Sequence, residues 1–252
     1  MALNQYDLLI HLVSLDHRRS NGFPHAVSAE NVTPVWSLLD IFSKKGLKKF
    51  IYFSTTQVYG NIQNEIISEH RNPKTNNAYA LTHHVGEVIC EYYNRNYSVD
   101  CHVVRLSNNY GAPILEKNNS WWLIVNDLCR MAFIHKELVL TSDGSPIRDF
   151  IHGWDVCYGV QLIIESSSKH GIFNLCSGIT LSIKEVAEKI KTVFYNRYGL
   201  ELIISAGEQR PHFEIRKFVL DNSLIRSLGF ETKWSLEVGI NELFDYLEQN
   251  NA

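Results

Sequence analysis

The chain has no apolar run long enough to span a bilayer as a helix, and no positively charged segment stands ahead of an apolar one near its start. A membrane partner is therefore not expected, and the expected compartment is the cytoplasm. Charge of one sign is not in excess either: 24 Lys and Arg against 27 Asp and Glu leave a formal net charge of -3. That balance removes the electrostatic case for binding nucleic acid. Cysteine is sparse and unpatterned. Cys90, Cys101, Cys129, Cys157 and Cys176 are an odd number, widely spaced and without a CxxC pair. Four stand in apolar runs, and Cys129 lies beside Asp127 and Arg130. Buried free thiols in a reducing compartment are expected, rather than disulfides or a metal centre. Internal repeats and low-complexity linkers are absent too.

What is present is an ordinary globular composition, 45% hydrophobic and 20% charged over 252 residues. That is enough to bury a sizeable core as one large or two small domains. Asp7 to Ser14 reads as an apolar strand. Residues 29–45 show helical periodicity through Val32, Val35, Leu38, Leu39 and Phe42 and stop at Gly46. Pro34 starts the regular part of this helix near Thr33 or kinks it there. A strand at Phe50, a polar loop over 61–77, a helix from Tyr79 to about Asn94 and a strand over Asp100–Leu106 follow. Alternating strands and helices require parallel pairing through crossovers, which is a doubly wound α/β layer. Beyond about residue 113 the elements shorten: a helix over 120–132, a strand over Leu138–Leu140, a helix over 154–166 and a strand over Ile172–Leu175. Ser182-Ile-Lys-Glu185 is a capping box opening a helix to about Tyr195. Two amphipathic pieces close the chain after Ser223. Asn174 and Ser182 are read as turn and cap residues.

The stretch that organises the rest is Phe50-Ile51-Tyr52-Phe53-Ser54-Thr55-Thr56-Gln57-Val58-Tyr59-Gly60, taken with Tyr79-Ala80-Leu81-Thr82-His83. An apolar run ending in hydroxyls is how a buried parallel strand delivers polar groups to a cleft. Tyr79 and His83, four apart on a helix, point into the same space. A hydroxyl, a phenol and an imidazole on one crevice suit proton transfer; the same spacing also describes a capped strand end and a surface helix.

Ser-Thr-Thr-Gln-Val-Tyr-Gly followed by Tyr-x-x-x-basic resembles the extended short-chain dehydrogenase/reductases, specifically the NAD-dependent nucleotide-sugar epimerases, dehydratases and reductases. The resemblance implies a catalytic set of Ser/Thr, Tyr and Lys (the YxxxK motif) beside the nicotinamide of NAD or NADP. Thr55 matches the hydroxyl, Tyr79 matches the acid/base, and His83 stands where the family has Lys. Ser54, Tyr79 and His83 are the implied cofactor contacts. Thr56 and Gln57 occupy the places where the 4,6-dehydratases carry Asp and Glu, so elimination of water is disfavoured and an epimerase or reductase is expected. A fixed Lys charge about 4 Å from the phenol would be worth up to roughly 4 kcal/mol at an effective dielectric of about 20, or about three pKa units. Neutral His83 supplies no full charge, so activity through Tyr79 is expected to be weak or displaced in pH.

On the substrate side, Arg148-Asp-Phe-Ile-His152 resembles the family's RDF(I/V)H motif, whose Arg grips the nucleotide diphosphate. Arg210-Pro211 resembles a later diphosphate contact, although His212-Phe213 replace the family's Gly-Asp. Two guanidiniums suit bidentate phosphate binding; Arg148 could instead pair with Asp149 or Asp155. Asn108 matches an Asn near the sugar or phosphate, and Asn31 one that braces the site through backbone contacts. The implied ligand is a nucleotide-diphosphate sugar.

The family begins with a strand–GxxGxxG–helix unit, and no such motif occurs in these 252 residues. Asp7–Ser14 resembles the family's fourth strand. The expected fold is thus a truncated Rossmann-like doubly wound parallel sheet without the first three strands over 1–112, with a smaller α+β substrate-binding lobe mainly over 113–252. Some segments of that lobe are expected to return to the first domain. An edge at residues 7–14 left bare in this way is a pairing liability. A homo-oligomer, another chain or an upstream segment is expected to cover it.

Overall fold

The computed structural model describes residues 6–16, 18–21, 24–62, 65–115, 120–168, 171–207 and 217–250. The chain opens with β1 (Leu8–His11), then α1 (Pro24–Asn31) and α2 (Thr33–Ser43). The single helix expected over 29–45 is therefore two, parted at Val32. Pro34 sits in the first turn of α2, where its missing N–H has no intrahelical partner to lose. β2 (Lys49–Thr55) runs into a short 3₁₀ turn over Thr56–Tyr59. β3 (Glu65–Ile67), the long α3 (Ala78–Asn96), β4 (Asp100–Leu106) and β5 (Asn108–Tyr110) follow. The second half holds α4 (Ile124–His135), β6 (Glu137–Leu140), β7 (Ile147–His152), α5 (Gly153–Glu165) and β8 (Ile172–Leu175). It continues with β9 (Thr180–Ser182), α6 (Ile183–Tyr198), β10 (Ile203–Ala206), β11 (Phe218–Leu220), α7 (Ser223–Arg226) and α8 (Leu236–Gln249).

β1, β2, β4 and β8 form a parallel sheet in that order. Alternation along β2 sends its side chains to both faces. Phe50 and Tyr52 pack with Val35, Leu39, Ile89 and Tyr93 of α2 and α3. Ile51 and, from β4, Val104 pack on the other face with Val156, Val160 and Ile163 of α5. The second half of the chain thus contributes β8, α5 and α7 to this layer. Lys49 fastens the two halves: its ammonium donates to the carbonyls of Ile163, Ile164 and Ser166 at 3.2, 2.8 and 3.0 Å, satisfying the end of α5.

A second core packs α4, α6 and α8 around Tyr110, Leu128, Phe194 and Phe244. Beside it lie the parallel pair β6–β10 and the three-stranded β5-β7-β9. Ser182 does cap α6, in a capping box with Glu185. β3 pairs with β11 against Val58, Tyr59 and Cys176.

The strand expected over Asp7–Ser14 is only four residues long, because β2 pairs with it from Lys49 to Tyr52 and no further. Among the described residues nothing pairs with its outer edge. Just past it, Leu12 and Val13 are 64% and 69% exposed. No described helix is long and apolar enough to cross a membrane. Cys90, Cys101, Cys129 and Cys176 are buried free thiols, whereas Cys157 is exposed on α5, contrary to the expectation that the thiols are buried.

Candidate active site

Ligands of open parallel sheets bind outside the carboxyl ends of the strands, and there the candidate residues converge. Thr55 closes β2 opposite Leu106 of β4; Asn108 stands two residues beyond Leu106 at the same edge. The Thr55 hydroxyl accepts from Gln57 N at 3.2 Å, capping the 3₁₀ turn, and is also hydrogen-bonded to Tyr79. Its backbone role and its place in the site are therefore compatible. Tyr79 is the second residue of α3, whose first turn is fixed by Asn77 accepting from Ala80 N at 2.8 Å. One turn later the His83 ring meets Tyr79 edge-on, centroids 4.5 Å apart. Asn31 clamps the arrangement from behind: it accepts from Leu15 N at 2.7 Å and donates to Thr82 Oγ1 at 3.0 Å.

The electrostatics are those of a dry site. Burial raises the Tyr79 pKa, and the Thr55 hydrogen bond offsets part of that. Burial lowers His83 to about 4, with attraction from Glu87 and the Phe53 backbone offsetting part. At neutral pH the phenol is protonated and the imidazole uncharged. His83 Nδ1 lies 3.3 Å from the Tyr52 phenol oxygen, while Nε2 is buried without a hydrogen-bond partner among the described residues.

Ser54, also expected as a cofactor contact, is only 4% exposed. Its hydroxyl donates to Glu87 Oε1 at 2.5 Å, beneath the site. Glu87 grips Arg105 in two bonds, Nε to Oε1 at 3.0 Å and Nη2 to Oε2 at 2.8 Å, both side chains almost fully buried. Burial pushes Glu87 toward its neutral form, but hydrogen bonds from His84, Arg105 and Ser54 and the Arg105 charge outweigh it and hold the carboxyl below its ordinary range. Arg105 also donates to Tyr59 Oη at 3.0 Å, which donates to Asn174 Oδ1 at 2.6 Å. Asn174 is not a turn residue: it lies in β8, fully buried, and donates to the carbonyls of Ile67 and Asp221 at 3.2 and 3.0 Å. Sequence reasoning passed over this network. Its one visible signal was an arginine inside the apolar run Asp100–Leu106, which in a buried strand demands a counter-charge.

Asn108 donates to the Asp149 carbonyl at 3.0 Å, next to Arg148 on β7. The Arg148 side chain is exposed and donates to Ile147 O at 2.7 Å. Neither Asp149 nor Asp155 pairs with it. Asp149 accepts from Ser107, Ser177 and Gly178, and Asp155 accepts from the backbone of Lys233 and Trp234. Thr55, Tyr79 and His83 are thus brought into contact, and Asn108 and the Arg148 strand are stitched to the same sheet edge. Arg210 lies outside the described residues.

A model of the NAD dependent epimerase/dehydratase family matches residues 1–176, through the last strand of the main sheet. The chain is similar to a dTDP-glucose 4,6-dehydratase of Streptomyces antibioticus, 24% identical over 248 residues, covering 98% of this chain and 71% of that relative. Its fold is similar to UDP-glucuronic acid 4-epimerase from Bacillus cereus in complex with UDP-glucuronic acid and NAD, with a TM-score of 0.80 and 22% identity over 97% of this chain and 76% of that one. It is also similar to RMD from Pseudomonas aeruginosa complexed with NADPH, with a TM-score of 0.85 and 20% identity over 97% of this chain and 82% of that one. The likeness to these structures establishes the Rossmann-like α/β fold, and the family match spans well over half the sequence: the chain belongs to the NAD-dependent epimerase/dehydratase family.

Proposed function

We propose that this protein acts on a nucleotide-diphosphate sugar as an epimerase or reductase, moving a proton at a sugar hydroxyl through Thr55 and Tyr79. The observation that carries this reading is the Thr55–Tyr79 hydrogen bond at the carboxyl edge of the parallel sheet. Thr55 orients the sugar oxygen and Tyr79 takes up or returns its proton. Bound NAD or NADP would supply hydride acceptance and return at the sugar carbon. Tyr79 and His83, in ring contact at the first turns of α3, suit the nicotinamide end of such a cofactor. The glycine loop for its pyrophosphate is not among these 252 residues. Arg148, exposed and with no carboxylate paired to it among the described residues, suits the diphosphate of the substrate, with Asn108 beside it and Arg210 as a second guanidinium. Loss of water from the sugar is disfavoured, because Thr56 and Gln57 offer no carboxylate for the elimination.

Two surfaces support association with further polypeptide. Among the described residues the outer edge of β1 is unpaired, and it offers its backbone groups to another strand. Trp36 on α2 and Val88 and Tyr92 on α3 form an exposed apolar stripe, with the Trp36 and Tyr92 rings 6.1 Å apart, that suits a second copy of the chain.

His83 favours a second reading. With no charge beside Tyr79, the protein would bind the sugar nucleotide without turning it over. Calorimetry with UDP-, GDP- and dTDP-sugars, with and without NAD(H) or NADP(H), followed by chromatography of the sugar nucleotide, separates the two. Binding of both ligands with conversion of the sugar supports the enzyme. Sugar-nucleotide binding alone supports the binder, and no binding of any sugar nucleotide overturns both.

A further inference from the structure

His83 is the residue at which this chain departs from the motif it otherwise follows, and its surroundings are specific. Nδ1 faces the Tyr52 phenol oxygen at 3.3 Å, and Nε2 is sealed from solvent with no partner among the described residues. Tyr52 reaches this position because residue 86, one turn after His83 on α3, is glycine. A Cβ there would fall 2.3 Å from the phenol oxygen and 2.4 Å from Cζ. Glycine inside a helix is destabilising relative to alanine, so the gap under the phenol needs a reason, and contact with His83 is one. The His11 ring lies nearly parallel to that of Tyr52, 6.0 Å away, and its Nε2 is likewise buried and unpartnered, so it offers the phenol no competing bond.

Counting hydrogen bonds selects one form of the imidazole. Burial raises the Tyr52 pKa far enough that the phenol keeps its proton at any ordinary pH. With the His83 proton on Nε2, the Tyr52 O–H donates to Nδ1 and only the Nε2–H is left without a partner. With the proton on Nδ1, that N–H donates to the phenol oxygen, and both the phenol O–H and the Nε2 lone pair are orphaned. A buried polar group left unpaired is costly.

We propose that Tyr52 is a positioning residue that, in the space opened by Gly86, locks the uncharged His83 in the Nε2–H form. Its bearing on catalysis rests on the function proposed above, because an imidazole held neutral in this way does not lower the pKa of Tyr79 as an ammonium would. The tautomer itself does not depend on that function.

The test is a nitrogen–proton correlation spectrum of the histidine-labelled protein at pH 7.5, with His83→Gln assigning the resonance. The expected result is a pyrrole-type Nε2 and a pyridine-type Nδ1 displaced by an accepted hydrogen bond. In Tyr52→Phe, which keeps the ring and removes only the hydroxyl, the displacement is lost and the preference for Nε2–H falls about tenfold, the worth of one net hydrogen bond. A proton on Nδ1 in the unaltered protein overturns the proposal, as does an unchanged His83 spectrum in folded Tyr52→Phe. If Tyr52→Phe does not fold, the Nδ1 displacement in the unaltered protein decides. The readout needs neither cofactor nor turnover, so its failure is distinct from failure of the proposed function.

Discussion

The Tyr79 phenol and the Thr55 hydroxyl are hydrogen-bonded across the gap between the first turn of α3 and the last residue of β2. Two residues 24 positions apart in sequence meet there because a strand and the helix covering it end at the same edge of the sheet.

The first prediction concerns the charge missing from that pair. Burial raises the Tyr79 pKa, and His83 carries no charge at pH 7 to lower it. Turnover should therefore climb as pH rises above neutrality. In His83→Lys, an ammonium about 4 Å away would lower the phenol pKa by up to about three units and raise kcat at pH 7 at least tenfold. Tyr79→Phe should cost roughly 10²- to 10⁴-fold in kcat while sugar-nucleotide affinity stays. A flat pH–rate profile unaffected by either change would remove Tyr79 from the chemistry.

The second concerns acid stability. The folded His83 pKa of about 4 lies below its ordinary 6.5, so the unfolded chain binds a proton that the folded one refuses. Between those values stability rises with pH; it is complete above about 6.5 and is lost as pH falls toward 4, by about 3 kcal/mol for this group. Urea unfolding at pH 7 and pH 4 should show a smaller loss in His83→Gln by that amount. An identical loss in both proteins would mean that His83 is protonated in the folded state.

Beneath the site, Glu87→Ala should destabilise the fold by roughly 3–5 kcal/mol, because Arg105 is left buried with its charge uncompensated. Replacing both residues with apolar ones should recover part of that loss. Chemical denaturation of the single and double variants measures the coupling; additive losses would mean that the pair contributes nothing as a pair.

Self-association is tested by charge on the stripe of α2 and α3. Val88 is 50% exposed and lies among apolar neighbours. If a second copy covers it, Val88→Glu should convert the protein to a monomer in light scattering without changing its melting temperature as a monomer. An unaltered protein that is already monomeric at high concentration would refute this use of the stripe.

Thr55 and Tyr79 were legible as a pair because each is placed by a local rule, an apolar run ending in hydroxyls and a helix that opens at Tyr79 with His83 four positions on. Position 83 was legible too, as an imidazole where the resemblance calls for an ammonium. Asn174 was misread because its partners lie far away in the chain, at Ile67, Asp221 and Tyr59. A lone Asn before a turn-like Cys-Ser-Gly offers no sign of them. The Ser54–Glu87 bond was not legible for a related reason: its partner stands 33 positions away, and the motif does not show it.

Periodicity, caps and spacing, all short-range properties, established the alternating strands and helices, the hydroxyl-terminated strand and the family likeness. Folding decided which side chains became buried and with what: that His83 is stripped of water and of charge, that Glu87 closes on Arg105, that Arg148 escapes Asp149. Solvation and long-range pairing set those outcomes, and both depend on neighbours that meet only once the sheet has formed.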